Sequence, residues 1–350
     1  MTRVGIIGTG WGTRVQIPAF RRAGIEIGAI AGRDPKKTGK LAAENDVPKW
    51  FGDWRELVGQ DDIDVVTVVT PPFQHLEMTR DVLSSGKHVI CEKPTAMNAG
   101  EAGKLLELAE EHSDRITLID HELRFLPAFR EARNSIDMIG EIRWVEARYS
   151  SPSRNDPERQ WNWWSSKEKG GGVLGAVGSH LIDSFRYLVG EISEVRALLR
   201  TFIDQRPDDD GQPREVTSDD WSTFDLRFES GAIATTTLSV VSGVDEPTEL
   251  IIHGSKGSMK LVENRFLFSE IKGEWQDQIE EPEEPIIGDS PGGYFGTGTI
   301  YLGRALDRAI GQRDRSALEP GATFEDGLRQ QQTLDAARRS SENGGTWEKI

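Results

Sequence analysis

Five short runs rich in valine and isoleucine punctuate the first 120 residues: "RVGIIG" (3–8), "IEIGAIAG" (25–32), "IDVVTVVT" (63–70), "HVIC" (88–91) and "ITLID" (116–120). Each is short, β-branched and apolar at consecutive rather than alternate positions, the pattern of a strand covered on both faces. The intervening segments supply that cover. "TRVQIPAFRRAG" reads as a helix stopped by Gly24, and "DPKKTGKLAAEN" as a helix with Asp34 as N-cap and Pro35 at its first position. Further helical patterns lie near 74–84 and 98–111. Strand and helix in strict alternation give an α/β domain built on a parallel, doubly wound sheet, assigned here to residues 1–122.

From about residue 123 the texture changes. "EIRWVEARYS", "STFDLRF", "AIATTTLSVV", "TELIIHG" and "RFLFSE" follow with few helices between them, and Phe224, Leu226 and Phe228 alternate with Asp225 and Arg227. Alternation marks strands with one buried face, and turns such as Glu229-Ser230-Gly231 suit antiparallel neighbours. Residues 123–350 therefore read as a second, α+β domain. A chain of 350 residues is long enough for two. "DQRPDDDGQPRE" (204–215) reads as a polar loop.

The balance of 42 Lys+Arg against 58 Asp+Glu, a formal charge of −16, repels phosphate backbones and anionic lipid, so neither nucleic acid nor membrane is expected as a partner. Ordinary solvated faces explain the acidity, and a salt-adapted host is the alternative. A single cysteine, Cys91, supports neither a disulfide framework nor a thiolate metal cluster, and no histidine pair has ligand spacing. No metal is expected, and a cytoplasmic location is. The opening "MTRVGIIGTG" runs directly into a strand pattern.

In "VGIIGTGWGT", Gly8, Gly10 and Gly12 stand where the first strand turns into a helix. The first permits the tight turn, the second lets a pyrophosphate approach the backbone, and the helix N-terminus faces its charge. The regular dinucleotide fingerprint would carry its third glycine at Thr13, so the match is imperfect. About twenty residues beyond the turn, an NAD enzyme carries an acid for the ribose hydroxyls; Gly32-Arg33 fills that place. This leaves room for a 2′-phosphate that Arg33 would pair with while stacking on adenine, which favours NADP and leaves NAD open. The plainer alternative makes Arg33 a solvated loop residue and Asp34 only a cap.

Seven segments carry a wider likeness: "GIIGTGWG", "TPPFQH" (70–75), "GKHVICEKP" (86–94), "RFLPAFREA" (124–132), "IGEIRWVEARY" (139–149), "GGGVLGAVGSHLID" (170–183) and "FEDGLRQQQTLDAARRSSENG" (324–344). They resemble, in order, the glucose-fructose oxidoreductase/inositol dehydrogenase/MocA family, from Val4 to the C-terminus. The resemblance implies an N-terminal Rossmann domain and a C-terminal α+β domain with a large, mostly antiparallel open sheet used in dimers or tetramers. It also implies hydride exchange between nicotinamide and a sugar, polyol or related carbonyl. Gly8, Thr9, Gly10, Trp11, Gly12, Gly32, Arg33, Thr70, Pro71, His75, Glu92 and Lys93 would surround the cofactor. The C-terminal helix, at about 321–340, would pack back on the first domain.

By the same resemblance, Glu92-Lys93-Pro94 lies at the carboxyl end of a sheet strand, and Lys93 projects toward the reacting carbon, where an ammonium favours the developing alkoxide. Pro94 would fix the turn through a cis peptide. The plainer reading of this segment is a surface ion pair capping a strand. The family usually sets a carboxylate and a histidine four residues apart on one helix; His180 holds the histidine position, but the carboxylate position is Ala176. Asp183, three residues on, shares the face of His180. A core histidine is the alternative for His180. Trp161, Asn162 and Trp163 in "SRNDPERQWNWW" suit the edges and faces of a sugar ring, or equally plain packing. His121 and Arg124 are weaker pocket candidates. An oxidoreductase is thus expected, with a non-catalytic dinucleotide sensor as the alternative that Ala176 favours, and a redox-assisted lyase or hydrolase as a lesser one.

Overall fold

The computed structural model describes residues 2–279 and 292–350, which divide into two compact units: residues 2–126 with 292–328, and residues 127–279 with 329–350. In the first unit, β1 (Arg3–Ile7), β2 (Glu26–Ala31), β3 (Lys49–Phe51), β4 (Val65–Val68), β5 (His88–Cys91) and β6 (Thr117–Ile119) form one parallel sheet in the order β3-β2-β1-β4-β5-β6. The order reverses between β1 and β4, which opens a crevice at the carboxyl ends of those strands. Strand residues face alternately into two apolar layers. Val4, Ile6, Ile30, Val65 and Ile90 pack with Phe20, Leu302 and Leu306 on one side; Ile7, Ala31, Val66, Val68 and Val89 pack with Leu83 and Leu105 on the other. Each such side chain contributes ~1.5–3 kcal/mol on burial, which is why the runs are apolar throughout.

Helices occupy the expected segments. The helix Pro35–Glu44 begins as its sequence requires, with the Asp34 carboxylate accepting from the Lys37 amide and proline in the first turn. Asn98 caps Ala99–Glu111 in the same way. A helix the sequence reading did not anticipate, Gly293–Gly311, belongs to this unit although its residues were assigned to the second domain. Its glycines depress helix propensity, but they permit close packing. A Cβ at Gly298 would lie 2.7 Å from the Glu122 carbonyl oxygen, and one at Gly303 would lie 2.7 Å from Ala23 Cβ. The boundary correspondingly falls after Leu126 rather than after residue 122. The C-terminal helix runs Phe324–Glu342, with residues to Leu328 in the first unit and the rest in the second.

The second unit contains β7 (Ile142–Ser150), β8 (Ile192–Arg200), β9 (Gln205–Pro207), β10 (Pro213–Glu215), β11 (Trp221–Phe228), β12 (Ile233–Ser239), β13 (Glu246–Gly254), β14 (Gly257–Val262), β15 (Arg265–Glu270), β16 (Gln276–Asp277) and β17 (Glu348–Lys349). Nine of them make an open sheet in the order β16-β15-β14-β13-β7-β12-β11-β8-β17, antiparallel except where β12 runs parallel to β7. The predicted polar loop at 204–215 is instead the hairpin β9-β10. Its turn is set by Asp208, whose carboxylate accepts from the Asp210 and Gln212 amides, and by Gly211 at φ +76°.

Along β11, Ser222, Phe224, Leu226 and Phe228 are buried while Thr223, Asp225 and Arg227 turn outward. The outward face is largely polar. It carries the ion pairs Arg196–Asp225 (2.7 Å), Arg227–Glu194 (2.6 Å) and Lys260–Glu249 (2.5 Å), with Trp144, Leu198 and Ile233 as scattered exposed apolar groups. Period-2 alternation specifies which residues leave the core but not that they are apolar.

Candidate functional site

The predicted site residues fall into two sets, one in each unit. In the first unit the glycine turn follows β1. Gly8 has φ +126°, and a Cβ there would sit 2.0 Å from the Val69 carbonyl oxygen, so only glycine lets the chains leaving β1 and β4 cross so closely. Gly10 is exposed, with nothing within 4 Å of its would-be Cβ, so a ligand can approach the backbone there. Gly12 is buried against Ile6, 2.7 Å from the would-be Cβ, and does the close-packing work of the regular motif's third glycine. Thr13 needs no such freedom; its hydroxyl donates to the Thr9 carbonyl at 2.8 Å. An exposed backbone at a helix N-terminus at the switch point is a fitting cradle for a dinucleotide pyrophosphate. Trp11 meets Phe295 edge-on at 6.5 Å between centroids.

At the end of β2, Gly32 is held close, because Thr38 Oγ1 and Thr9 Cγ2 each lie 2.7 Å from its would-be Cβ. Arg33, Lys36 and Lys37 beside it are exposed. Asp34 uses its carboxylate as the helix cap, as its sequence context predicted.

Beyond β5, the Lys93-Pro94 peptide is cis and Lys93 is half-buried, flanked by the buried Glu92 and Pro94. Parallel pairing of β5 with β6 brings the residues after both strands together, and the Asp120 amide donates to the Cys91 carbonyl at 2.7 Å. Three buried carboxyls result: Glu92, Asp120 and Glu122. Gln16, fully buried, donates from Nε2 to Asp120 Oδ2 at 2.9 Å and to Glu92 Oε1 at 3.4 Å. One Gln16 nitrogen thus holds the Glu92 and Asp120 carboxyls close to each other. Burial pushes Glu92 up to about 8, with the Asp120 charge adding to the rise, and burial pushes Asp120 up to about 6. Glu122 is also pushed well up by burial and by both neighbours. The Lys93 charge opposes the rise at all three.

Other predicted residues act through the backbone or through packing. His75 is fully buried; its Nε2 lies 2.8 Å from the Thr70 carbonyl oxygen and its Nδ1 lies 3.1 Å from that of Pro94. Burial lowers its basicity, so it is a neutral clamp between the loops after β4 and β5. Arg124 is buried and bonded through both terminal nitrogens to the Asp326 carboxylate, at 3.3 Å each. His121 is 1 % exposed. Burial pushes the Cys91 thiol up to about 12, which makes it an inert core residue.

In the second unit, the glycine run is required by its surroundings. A Cβ at Gly171 would lie 2.0 Å from the Trp164 carbonyl oxygen, and one at Gly172, at φ +114°, 2.1 Å from Asp219 Oδ1. That clearance lets Asp219 Oδ2 accept from the Leu174 amide at 2.7 Å and anchor the helical segment that follows. The segment opens with a π-helical turn, Leu174–Gly178, and continues as an α-helix, Ser179–Leu188. Ala176 is half-buried on the π turn, while His180 and Asp183 are buried one α-turn apart. Gln330 Nε2 donates to the Ser179 carbonyl at 2.7 Å and fixes the helix start. Asp219 was not foreseen, because nothing local marks it.

The tryptophan loop is more committed than a sugar platform requires. Trp161 Nε1 donates to the Glu215 carbonyl at 2.9 Å, and the Arg214 guanidinium stacks 3.5 Å from its ring centroid. Asn162 caps the short turn Trp163–Ser165 through the Trp164 amide at 3.0 Å. Trp163 is half-buried.

Among the described residues, no group of histidine, cysteine and carboxylate side chains is arranged to hold a metal, and no helix is long and apolar enough to cross a membrane. The family description "Oxidoreductase family, NAD-binding Rossmann fold" matches residues 2–119, and "GFO/IDH/MocA C-terminal domain" matches residues 129–260. An uncharacterized oxidoreductase of Synechocystis sp. is 32 % identical over 263 residues, 74 % of this chain and 71 % of that one. An oxidoreductase domain protein from Kribbella flavida superposes with a TM-score of 0.87 at 27 % identity, over the full length of both chains. Levoglucosan dehydrogenase in complex with NADH and levoglucosan superposes with a TM-score of 0.86 at 25 % identity, over 100 % of this chain and 99 % of that one. With an N-terminal Rossmann sheet, a C-terminal open sheet, and matches to the family in both domains, this chain belongs to the Gfo/Idh/MocA oxidoreductases.

Proposed function

We propose that the chain is an NADP(H)-preferring oxidoreductase that exchanges a hydride between nicotinamide and an alcohol carbon of a sugar or polyol. The observation that carries this is Lys93: a half-buried ammonium after the carboxyl end of the parallel strand β5, its charge offsetting three buried carboxyls. The levoglucosan complex of a structural neighbour supports the substrate class. Bound nicotinamide would accept or return the hydride. Lys93 would hold the substrate oxygen and favour its negative charge. His180 would take the hydroxyl proton, with Asp183 beside it orienting the ring. A panel of sugars, polyols and keto-sugars, read by nicotinamide absorbance, tests the reading; no turnover of any alcohol or carbonyl despite tight cofactor binding would overturn it. That outcome would favour a dinucleotide sensor, the reading to which the small side chain of Ala176 gives support.

The cofactor preference rests on the end of β2, where Arg33, Lys36 and Lys37 are exposed and Asp34 is engaged as a cap. Calorimetric titration is expected to show NADP(H) bound more tightly than NAD(H), with Arg33→Ala narrowing the gap about tenfold, the scale of one lost charge-assisted contact. NAD preferred by the unmutated protein would refute the assignment. The open sheet also supports assembly into a dimer or tetramer through its mixed, ion-paired face; light scattering that returned 39.0 kDa at micromolar concentration would contradict this.

A further inference from the structure

We propose that Glu92 and Asp120 act as one unit, a carboxyl pair that shares a single proton and serves as the counterion positioning the Lys93 charge. The inference rests on Lys93 being the polarising group of the function proposed above, and it concerns residues that do not themselves need to touch substrate.

Three elements converge to build the pair. Glu92 follows β5, Asp120 follows β6, and Gln16 comes from the helical segment after the glycine turn. The Asp120 amide bond to the Cys91 carbonyl fixes the relative height of the two carboxyls. One Gln16 nitrogen then reaches both, at 2.9 and 3.4 Å, so the acceptor oxygens are confined near each other. Gln16, Asp120 and Glu92 are 0 %, 1 % and 9 % exposed, which excludes solvent as the source of compensation. Gln16 Oε1 and Asp120 Oδ1 are buried without a hydrogen-bond donor, so the pocket is rich in acceptors and short of protons. Two bare carboxylates held together in such a place repel strongly, and one proton stays between them.

The surrounding charges define what the pair can do. Glu122, on the turn after β6, has its own affinity for a proton pushed well up by burial and by its two neighbours. His75, from the start of the helix after β4, is kept neutral by burial, and the Cys91 thiol on β5 is held protonated. Arg124 is paired with Asp326 at the start of the C-terminal helix. From the helix Gly293–Gly311, Gly298 packs directly against Glu122, 2.7 Å separating its would-be Cβ from the Glu122 carbonyl oxygen. Lys93 is the cation whose field reaches all three carboxyls. The pair's successive ionisations lie at about 6 and about 8. Below this window the pair is neutral, within it the pair carries one negative charge matched to the single ammonium, and above it the pair carries two.

Infrared difference titration of the cofactor-free protein tests the shared proton directly. A protonated buried carboxyl should lose its carbonyl band between pH 6 and 8, and Glu92→Gln and Asp120→Asn should each reduce that change to the titration of the one carboxyl that remains. The role toward Lys93 is tested by the rate at which acetic anhydride modifies Lys93, read by peptide mass spectrometry. Asp120→Asn removes the ionisable partner and should make the Lys93 amine react several-fold faster, while Glu92→Gln, which keeps a hydrogen-bond donor beside Asp120, should not. With an identified substrate, the alkaline limb of turnover should move to lower pH by about one unit in Asp120→Asn, within the range a lost neighbouring charge produces. A merely structural pair would change melting temperature without moving Lys93 reactivity or the pH profile. Absence of any carboxyl titration in that window, or Lys93 acetylation unchanged in Asp120→Asn, overturns the proposal. These two readouts need no turnover, so they stand apart from a failure to find a substrate.

Discussion

Lys93→Ala is expected to lower turnover of an identified alcohol substrate by about 10²- to 10³-fold, the scale of losing one preorganised donor at a developing oxyanion. The half-buried position removes part of the water that would otherwise screen the ammonium, and the proposed carboxyl pair would hold the charge in place before substrate arrives. Preorganisation of this kind is what makes a single positive charge worth several kcal/mol at the transition state. The loss should appear in kcat and in kcat/KM alike, because the contact strengthens as the alkoxide forms. Lys93→Arg should restore little, since a planar guanidinium cannot replace a compact ammonium between a strand end and a proline. Steady-state kinetics with parallel calorimetric titration of NADP(H) checks both statements. Wild-type turnover in Lys93→Ala would move the polarising role to another group.

The second large effect is expected at His180. Oxidation of an alcohol needs an acceptor for the hydroxyl proton, and a neutral imidazole, with a reference pKa of ~6.5 against ~10.4 for an amine, is the better match near neutral pH. Where the family resemblance implies a carboxylate one turn earlier, this chain has Ala176, a half-buried methyl group on a π-helical turn. The imidazole has therefore lost that companion on its own helix, and the remaining carboxylate there is Asp183 on the next turn. His180→Ala should lower turnover by about 10²- to 10⁴-fold with NADP(H) binding preserved. His180→Gln, which keeps a hydrogen-bonding side chain but cannot accept a proton in this range, should be nearly as slow. The two lesions differ in pH behaviour: losing the base should remove the acid limb of the rate profile, and losing Lys93 should lower the rate and remove the alkaline limb. If His180→Ala retains full activity from pH 6 to 9, the proton acceptor lies elsewhere, and Asp183 and His121 become the residues to substitute.

Much of the first unit is legible along the chain because its signals are local. An apolar run flanked by glycine reads as a strand, and Asp34-Pro35 reads as a helix start, since capping and proline geometry act over three or four residues. The glycine turn was equally readable, although the role of its third glycine fell to Gly12 rather than to position 13, because contact with Ile6 decides which Cβ must be absent. Lys93 and its cis proline were likewise anticipated from a short motif.

Where prediction stopped, the missing information was a distance between residues far apart in sequence. Glu92, Asp120 and Gln16 are unremarkable polar residues until parallel pairing of β5 with β6 brings two carboxyls within reach of one amide; only then does burial raise their affinity for protons. Asp219 anchors the His180 segment from 45 residues away, and Arg124 meets Asp326 across 202. The helix Gly293–Gly311 runs against its own propensity because close packing at Gly298 and Gly303 outweighs the cost of glycine in a helix. The outer face of the open sheet is charged rather than apolar for a related reason: a period of two names the side each residue faces, while its partner across the strand decides whether a charge is tolerated there. Sequence alone determined the two-domain class, the glycine turn and the choice of Lys93 and His180 as candidates, since each is written in a few adjacent residues; the raised proton affinity of Glu92 and Asp120 was decided only by tertiary structure, because desolvation and charge coupling depend on what folding places around a group.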